Sequence, residues 1–398
     1  MGDRGLRGPL MLRGRLRIEL AMRNGTGSNH RFFALESWRG ACALLVAIHN
    51  LEHSQQAPAF VQHSSLFVDF FFVLSGFVIS HAYMRMLNDR ADLGLFMLRR
   101  FGRLWPLHVA VLSAFVGLSA SIVVIEHLHP SSEFPSFQAS HSIYSFIENL
   151  FLIQAIGMKT SLSWNVTAWS ISTEFWTYLL FGFICVLTPQ RLPALSVSAG
   201  CVILAGSIIF LFSPNYLDSN TDCAIFRCIY GFFVGHLTYR LWEIRSIRPR
   251  IVARMEIPTI IAVVAFVTAE RGALSIAAPI LFGFAVLIFA YESGTVSSFL
   301  KARPFVQLGL WSYSIYMVHW FIRIIVLAVI KIGGGRLGHP IEAHVPWGGI
   351  QGLWGISALI VVYLGLVIAV SAITYEFIEQ PSRRYFNQLA VSLKTRAA

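Results

Sequence analysis

Apolar runs approaching the roughly 20 residues that cross a bilayer recur from end to end of this chain, and no other feature constrains its fold as strongly. In lipid every backbone polar group must be satisfied within its own segment, so recurrent runs of this kind predict helices. We place ten spans, at about 36–52, 66–85, 105–125, 167–188, 194–213, 223–241, 255–270, 274–291, 308–331 and 350–376. The first and seventh are short, and the last is long enough to tilt or to extend beyond the membrane. Only 13% of the 398 residues are charged, about half the ~25% of a soluble domain. That deficit argues against a soluble helical protein with a greasy core. The expected class is all-α, a polytopic transmembrane helical bundle.

A net charge of +11 suggests a nucleic-acid partner until its distribution is mapped. With the N-terminus inside, most Lys and Arg fall on cytoplasmic segments. Lys159, Arg271, Lys331 and Arg336 are external, and Arg39, Arg227 and Arg323 lie within spans. This is the positive-inside pattern. It accounts for the charge without nucleic acid and supports an even number of spans with both termini cytoplasmic. Residues 1–31 are Arg-rich but lack an apolar stretch and a small-residue cleavage site, so they read as a retained basic cytoplasmic tail. The expected organisation is that tail, one transmembrane domain over 32–386, and a short cytoplasmic tail over 387–398. The longest external segment, about 126–166, contains a short apolar stretch at 143–157 that suits an interfacial or re-entrant position. Cys42, Cys185, Cys201, Cys223 and Cys228 lie in or beside apolar runs and contain no Cys-x-x-Cys pair, which predicts free thiols.

Ionisable groups inside lipid are expensive and are therefore functional candidates. The first span carries Arg39 near its cytoplasmic end and His49 near its outer end. Asp69 lies near the outer face on the second span. Ser170, Ser172 and Glu174 lie in the outer half of the fourth. Arg227, on the sixth, is available as a counter-ion for Asp69 or Glu174. The ninth reads GLWSYSIYMVHWF and brings Tyr313, Tyr316 and His319 towards mid-membrane. Five helices offering His49, Asp69, Glu174, Arg227 and His319 at similar depth predict one shared cavity. Histidines beside carboxylates suit general-base chemistry near neutral pH. On the cytoplasmic side Arg99, Arg100 and Arg103 cluster in LRRFGRLWPLH. They read either as positive-inside anchors or as a cradle for a polyanionic ligand such as the phosphates of a cofactor.

The segments WRGACALLVAIH, FVDFFFVLSGFVIS, RRFGRLWPLH, WSISTEFWTYLLFG, FRCIYGFFVGHLTYRL, LGLWSYSIYMVHW and YEFIEQPSRRYF, in this order and spacing, resemble membrane-bound acyltransferase family 3. That family includes O-acetyltransferases of O-antigens, exopolysaccharides and nodulation factors. The likeness spans about residues 33–386. It implies acyl transfer, most commonly of acetyl, from cytoplasmic acyl-CoA to a carbohydrate hydroxyl at the outer face of a bacterial inner membrane. It also implies an essential Arg and His on the first span. Arg39 matches the arginine. The usual histidine slot, eleven positions on, holds Asn50, and His49 stands one residue before it. Eleven steps along a helix return to within about 20° of the start, whereas ten steps leave a residue about 80° away. A helix rotation or local bulge would bring His49 back to the cavity, and His53 is the substitute.

On this reading Arg39, Arg99, Arg100 and Arg103 hold the acyl-CoA phosphates and His49 removes the acceptor proton. Glu174 or Asp69 orients the base, and Ser172, Arg227, Tyr313 and Tyr316 are candidate oxyanion donors. No metal is expected: His49 and His53 make a His-x-x-x-His pair, but no further ligand cluster supports it. The alternative is a transporter of a small anion or lipid-linked sugar without chemistry. It accounts for the buried charges equally well and less readily for the cytoplasmic arginines.

Overall fold

The structure, a computed structural model, describes residues 30–51, 57–128, 142–157, 162–188, 191–218, 220–269, 272–336 and 353–397. The basic segment 1–29, His53, and residues 129–141 and 158–161 of the long external loop lie outside the described residues. The helical unit begins at Phe33. Twelve helices of eight residues or more follow: α1 (Phe33–Leu51), α2 (Phe67–Tyr83), α3 (Arg90–Leu128), α4 (Ile143–Leu150), α5 (Trp169–Leu187), α6 (Arg191–Phe212), α7 (Ala224–Ile244), α8 (Pro249–Ala269), α9 (Ala278–Ala290), α10 (Arg303–Arg336), α11 (Leu353–Thr374) and α12 (Gln380–Ala397). No strand occurs among the described residues.

Among the described residues eight helical stretches are long and apolar enough to cross a membrane: α2, α3, α5, α6, α8, α9, α10 and the continuous run from α11 into α12. The protein is a multi-pass membrane protein. Of the ten expected spans, the remaining two are α1 and α7. Both are helices at the expected places, but their charged residues keep them out of the apolar set. The reason is position. α1 and α7 are enclosed by neighbouring helices, so their polar groups meet protein instead of lipid. α6 is the opposite case, with Ile203, Leu204, Leu211 and Phe212 each more than 60% exposed, a face whose natural solvent is lipid.

Two parallel helix pairs organise the bundle. α1 runs along α10, and a Cβ at Gly40 would stand 2.7 Å from the Gly309 backbone nitrogen. α2 runs along α7, where a Cβ at Gly76 would stand 1.9 Å from the Phe232 carbonyl oxygen. Small residues permit this close backbone approach, as is usual where helices pack within membranes. The start of α1 is fixed by Glu292, which accepts the Ala34 N–H at 2.8 Å, and by the Ser37 hydroxyl, which donates to the Leu300 carbonyl at 2.6 Å. Glu256 in turn holds the short helix Thr295–Leu300 by accepting the N–H groups of Gly294, Val296 and Ser297. These ties place Arg39.

The apolar stretch 143–157 forms α4 and a tight turn rather than a span. Trp105 Nε1 donates to Leu150 O at 3.0 Å and His108 Nε2 to Asn149 O at 2.8 Å. Ser172 Oγ and Trp176 Nε1 both donate to Leu152 O, at 2.7 and 2.9 Å. The turn is thus bonded onto α3 and α5. At the other end of the chain α11 passes through a π-helical turn, Tyr375–Glu379, into α12. Residues 387–397 belong to this helix, whose Phe386 ring packs on Phe101 and whose Lys394 pairs with Asp92 at 3.0 Å.

Candidate active site

α1, α2, α3, α5 and α10 enclose a cavity of about 90 Å³. Arg39 and Arg103 line one end. Arg39 is fixed by α10: its Nε donates to Ser312 Oγ at 2.6 Å and its Nη2 to Gly309 O at 3.0 Å. Arg103, Arg383 and Glu379 share its electrostatic surroundings. Arg383 reaches Glu379 at 3.6 Å, and Glu379 also accepts the Ser314 hydroxyl at 2.9 Å. A π-helical turn resets the angular register of a helix, and here it precedes α12 at the point where Glu379 and Arg383 join the arginine group.

The wall of the cavity carries hydroxyls and one carboxylate. Tyr178 donates to Glu174 Oε1 at 2.5 Å, so the Ser75 hydroxyl, 2.8 Å away, donates to Tyr178. Tyr316 donates to Thr167 O at 3.0 Å and accepts from Ser170 at 2.9 Å. Tyr313 donates to Leu104 O at 2.5 Å. The hydroxyl protons of Tyr313, Tyr316 and Ser172 are therefore committed to backbone carbonyls. Each of these groups must change partner before it can face a developing oxyanion. Arg39 lines the same cavity as a fixed cation.

Beyond Tyr316 one turn along α10 stands His319, fully buried. Its Nε2 lies 3.2 Å from the Asn50 amide nitrogen, and its Nδ1 lies 2.7 Å from Tyr316 O. His49, on the neighbouring position of α1, directs Nδ1 to Val61 O at 3.0 Å.

The structure therefore brings Arg39, Arg103, Glu174, Tyr313 and Tyr316 to one cavity, while His319 lies outside its lining, one turn beyond Tyr316. It holds Asp69 and Arg227 elsewhere, in a bidentate pair of 2.9 and 2.7 Å between α2 and α7. Both are buried, and the guanidinium also lies 5.1 Å from the centre of the Trp169 ring. Ser172 is bonded to the 143–157 turn, outside the cavity lining. Arg100 turns to Tyr83, donating to its hydroxyl at 2.8 Å with its buried Nε unpartnered. Arg99 is half-buried and does not line the cavity. Among the described residues no group of three or more His, Cys, Asp or Glu side chains is arranged to hold a metal.

Residues 33–376 match the acyltransferase domain family. The chain belongs to acyltransferase family 3. This acyltransferase is 22% identical over 349 residues to Acyltransferase MdmB of Streptomyces mycarofaciens, a match covering 80% of the chain and 81% of that protein. A shorter match, 38% identical over 100 residues, is to Protein 2 in picA locus of Rhizobium radiobacter and covers 24% of the chain and 49% of that protein. No solved structure matches.

Five residues of this acyltransferase's cavity region were not among the sequence candidates: Ser75, Tyr178, Ser312, Glu379 and Arg383. Tyr178 follows Glu174 by four residues on one helix face, a readable signal. Ser312 sits beside Tyr313 in a motif already marked. Glu379 and Arg383 depend on the π-helical turn, which no sequence pattern announced. Asn50 was noticed only as the occupant of a slot expected for histidine.

Proposed function

We propose that this acyltransferase moves a small acyl group, acetyl in the first instance, from cytoplasmic acyl-CoA to a hydroxyl of a surface or secreted carbohydrate. The observation that carries this reading is a single cavity with Arg39 and Arg103 at one end and the Glu174–Tyr178–Ser75 chain and Tyr316 along its wall. The positive-inside orientation puts the arginine end towards the cytoplasm, where acyl-CoA is found. An anion of several charges suits this end. Arg39, Arg100, Arg103 and Arg383 outnumber Glu174 and Glu379, and the unpartnered buried Nε of Arg100 lacks an acceptor that a phosphate oxygen would supply.

In this mechanism Arg39 and Arg103 bind and neutralise phosphate, with Arg99 at the cytoplasmic rim. The bound thioester supplies the activated carbonyl. Arg39 is the fixed cation nearest to hand for charge developing on that carbonyl. Glu174 orders the hydroxyls of Tyr178 and Ser75 along the cavity wall. A histidine from the α1/α10 seam takes the acceptor proton. Asp69 and Arg227 hold α2 to α7 and take no part in the chemistry. The carbohydrate acceptor and the inner-membrane location rest on the family resemblance.

The test is binding of radiolabelled acetyl-CoA to the protein purified in detergent, together with transfer of label to polysaccharide from cells lacking the gene. We expect Arg39→Ala to weaken binding at least tenfold and transfer at least 100-fold. Transport of the label without ester formation would favour a carrier and defeat the proposal.

A further inference from the structure

Asn50 and His319 form a hydrogen-bonded pair across the α1/α10 seam, one turn beyond the cavity-lining Tyr316, and their partners determine the protonation state of the imidazole. The Tyr316 and Ile315 carbonyls, 2.7 and 3.3 Å from His319 Nδ1, can only accept, so Nδ1 carries the proton. The Asn50 amide faces the Val46 carbonyl at 3.0 Å, which identifies its nitrogen. One amide proton goes to Val46 O, and the other points to His319 Nε2 at 3.2 Å. Nε2 is therefore an unprotonated acceptor. The tautomer is fixed from both sides, as a base in a buried site requires.

The surroundings hold the ring in place. His319 is fully buried, its ring centre lies 5.6 Å from that of Tyr316, and Tyr363 donates to its backbone carbonyl at 3.1 Å. Tyr316 lines the cavity, and His319 packs beside its ring one turn on along α10, outside the lining itself. His49 is one residue from Asn50 and so points about 100° away from it around α1. Its Nδ1 is bonded to Val61 in the segment that follows the helix.

We propose that His319 is the catalytic base of this acyltransferase and that Asn50 is its positioning residue. The proposal rests on the acyl-CoA reading above. An acceptor hydroxyl displaces the Asn50 amide from Nε2 and gives up its proton there. Its oxygen bonds to the thioester carbonyl carbon as the carbon–sulfur bond breaks. Nε2 then returns the proton to the departing thiolate, so CoA leaves as the thiol, the acceptor leaves as an ester, and His319 is neutral again.

His319→Asn tests this directly, because the amide can still donate to Tyr316 O but has no counterpart of Nε2. His319→Gln is the second variant should the first fail to fold. With acetyl-CoA as donor and polysaccharide from cells lacking the gene as acceptor, we expect kcat to fall at least 100-fold. The KM for acetyl-CoA and its binding should stay within threefold. Asn50→Ala and Asn50→Asp, which remove the amide donor, should lower kcat at least tenfold with the same unchanged KM, a split that a loss of folding would not produce. Transfer within tenfold of the parent in His319→Asn, or a loss confined to His49→Gln, overturns the assignment while leaving the acyl-CoA reading intact. A parent protein that neither binds acetyl-CoA nor transfers its label removes both.

Discussion

The α1/α10 and α2/α7 seams are built on one plan and do different work. Each is a parallel helix pair drawn close at glycine, and each is tied by polar side chains at two depths. On α2/α7 the ties are Asp69–Arg227 and Ser80–His236, the latter at 2.8 Å. On α1/α10 they are Arg39–Ser312 and Asn50–His319. In the first seam charge meets charge, and the Asp69–Arg227 pair is sealed from the cavity. In the second seam charge meets neutral groups beside open space. Arg39 is thus hydrogen-bonded to neutral groups, with Glu36 and Glu379 among the charges around it, and His319 keeps an unprotonated ring nitrogen. A buried ionisable group marks chemistry only when its partner leaves something over.

Breaking the sealed pair should give the largest loss of stability. Removing one partner of a buried ion pair costs about 3–5 kcal/mol, because the other charge is left stranded. Asp69→Ala should therefore sharply lower the yield of folded protein in detergent. Asp69→Leu combined with Arg227→Met, which removes both charges and keeps bulk, should recover most of it. Acetyl transfer per folded molecule should remain in the double variant. Folded double variant without transfer would place the pair in the chemistry after all and erase the contrast between the seams.

A smaller effect should separate the two glycine contacts. Gly76→Ala forces a methyl to 1.9 Å from Phe232 O, whereas Gly40→Ala meets Gly309 N at 2.7 Å. Overpacking of this kind costs about 1–3 kcal/mol, and Gly76 should stand at the upper end of that range. Gly40 adjoins Arg39 in sequence and packs on Gly309, whose carbonyl accepts from Arg39. Gly40→Ala should therefore lose less stability than Gly76→Ala but more activity. Thermal melts in detergent paired with acetyl transfer would check the crossing. Equal ratios of activity to stability in the two variants would show that the seams are not functionally distinct.

Much of this architecture was legible in the chain. Apolar runs located the spans, including α1 and α7, where depth mattered more than overall polarity. The same depths grouped His49, Asp69, Glu174, Arg227 and His319 into one expected cavity, and of these only Glu174 is in the lining of the cavity the structure forms. Depth alone says nothing about which way around a helix a side chain points. Arg227 was therefore left open between Asp69 and Glu174, and the structure places it on Asp69. His49 and Asn50 differ by about 100° around α1, and only the packed structure shows that Asn50 reaches His319. Glu379 and Arg383 lie in the marked segment YEFIEQPSRRYF, but their approach to the arginine group depends on a π-helical turn, which changes the register that periodicity assumes.

The smallest effect should come from an ion-pair cluster beyond the apolar spans, where the turn after α2 meets the end of α7. There Glu243 meets Arg85 at 2.5 Å and also pairs with Arg240. Partial burial works against ionisation of the Glu243 carboxyl, but Arg85 and Arg240 outweigh it and hold the carboxyl below its usual range. A carboxyl depressed by folding adds stability above its unfolded value, about 4.3, and that contribution is lost as pH falls through the lower folded value. Arg85 is well exposed, with 66% of its side chain accessible, so solvent screens much of the attraction. Glu243→Gln should lower the melting midpoint at pH 7 by only ~1–3 °C. The gap between parent and variant should close in buffers acidic enough to protonate the carboxyl, and acetyl transfer at pH 7 should not change. A gap that persists undiminished in acid would mean that Glu243 acts through packing rather than charge, leaving Asp69–Arg227 as the electrostatic tie of α2 to α7.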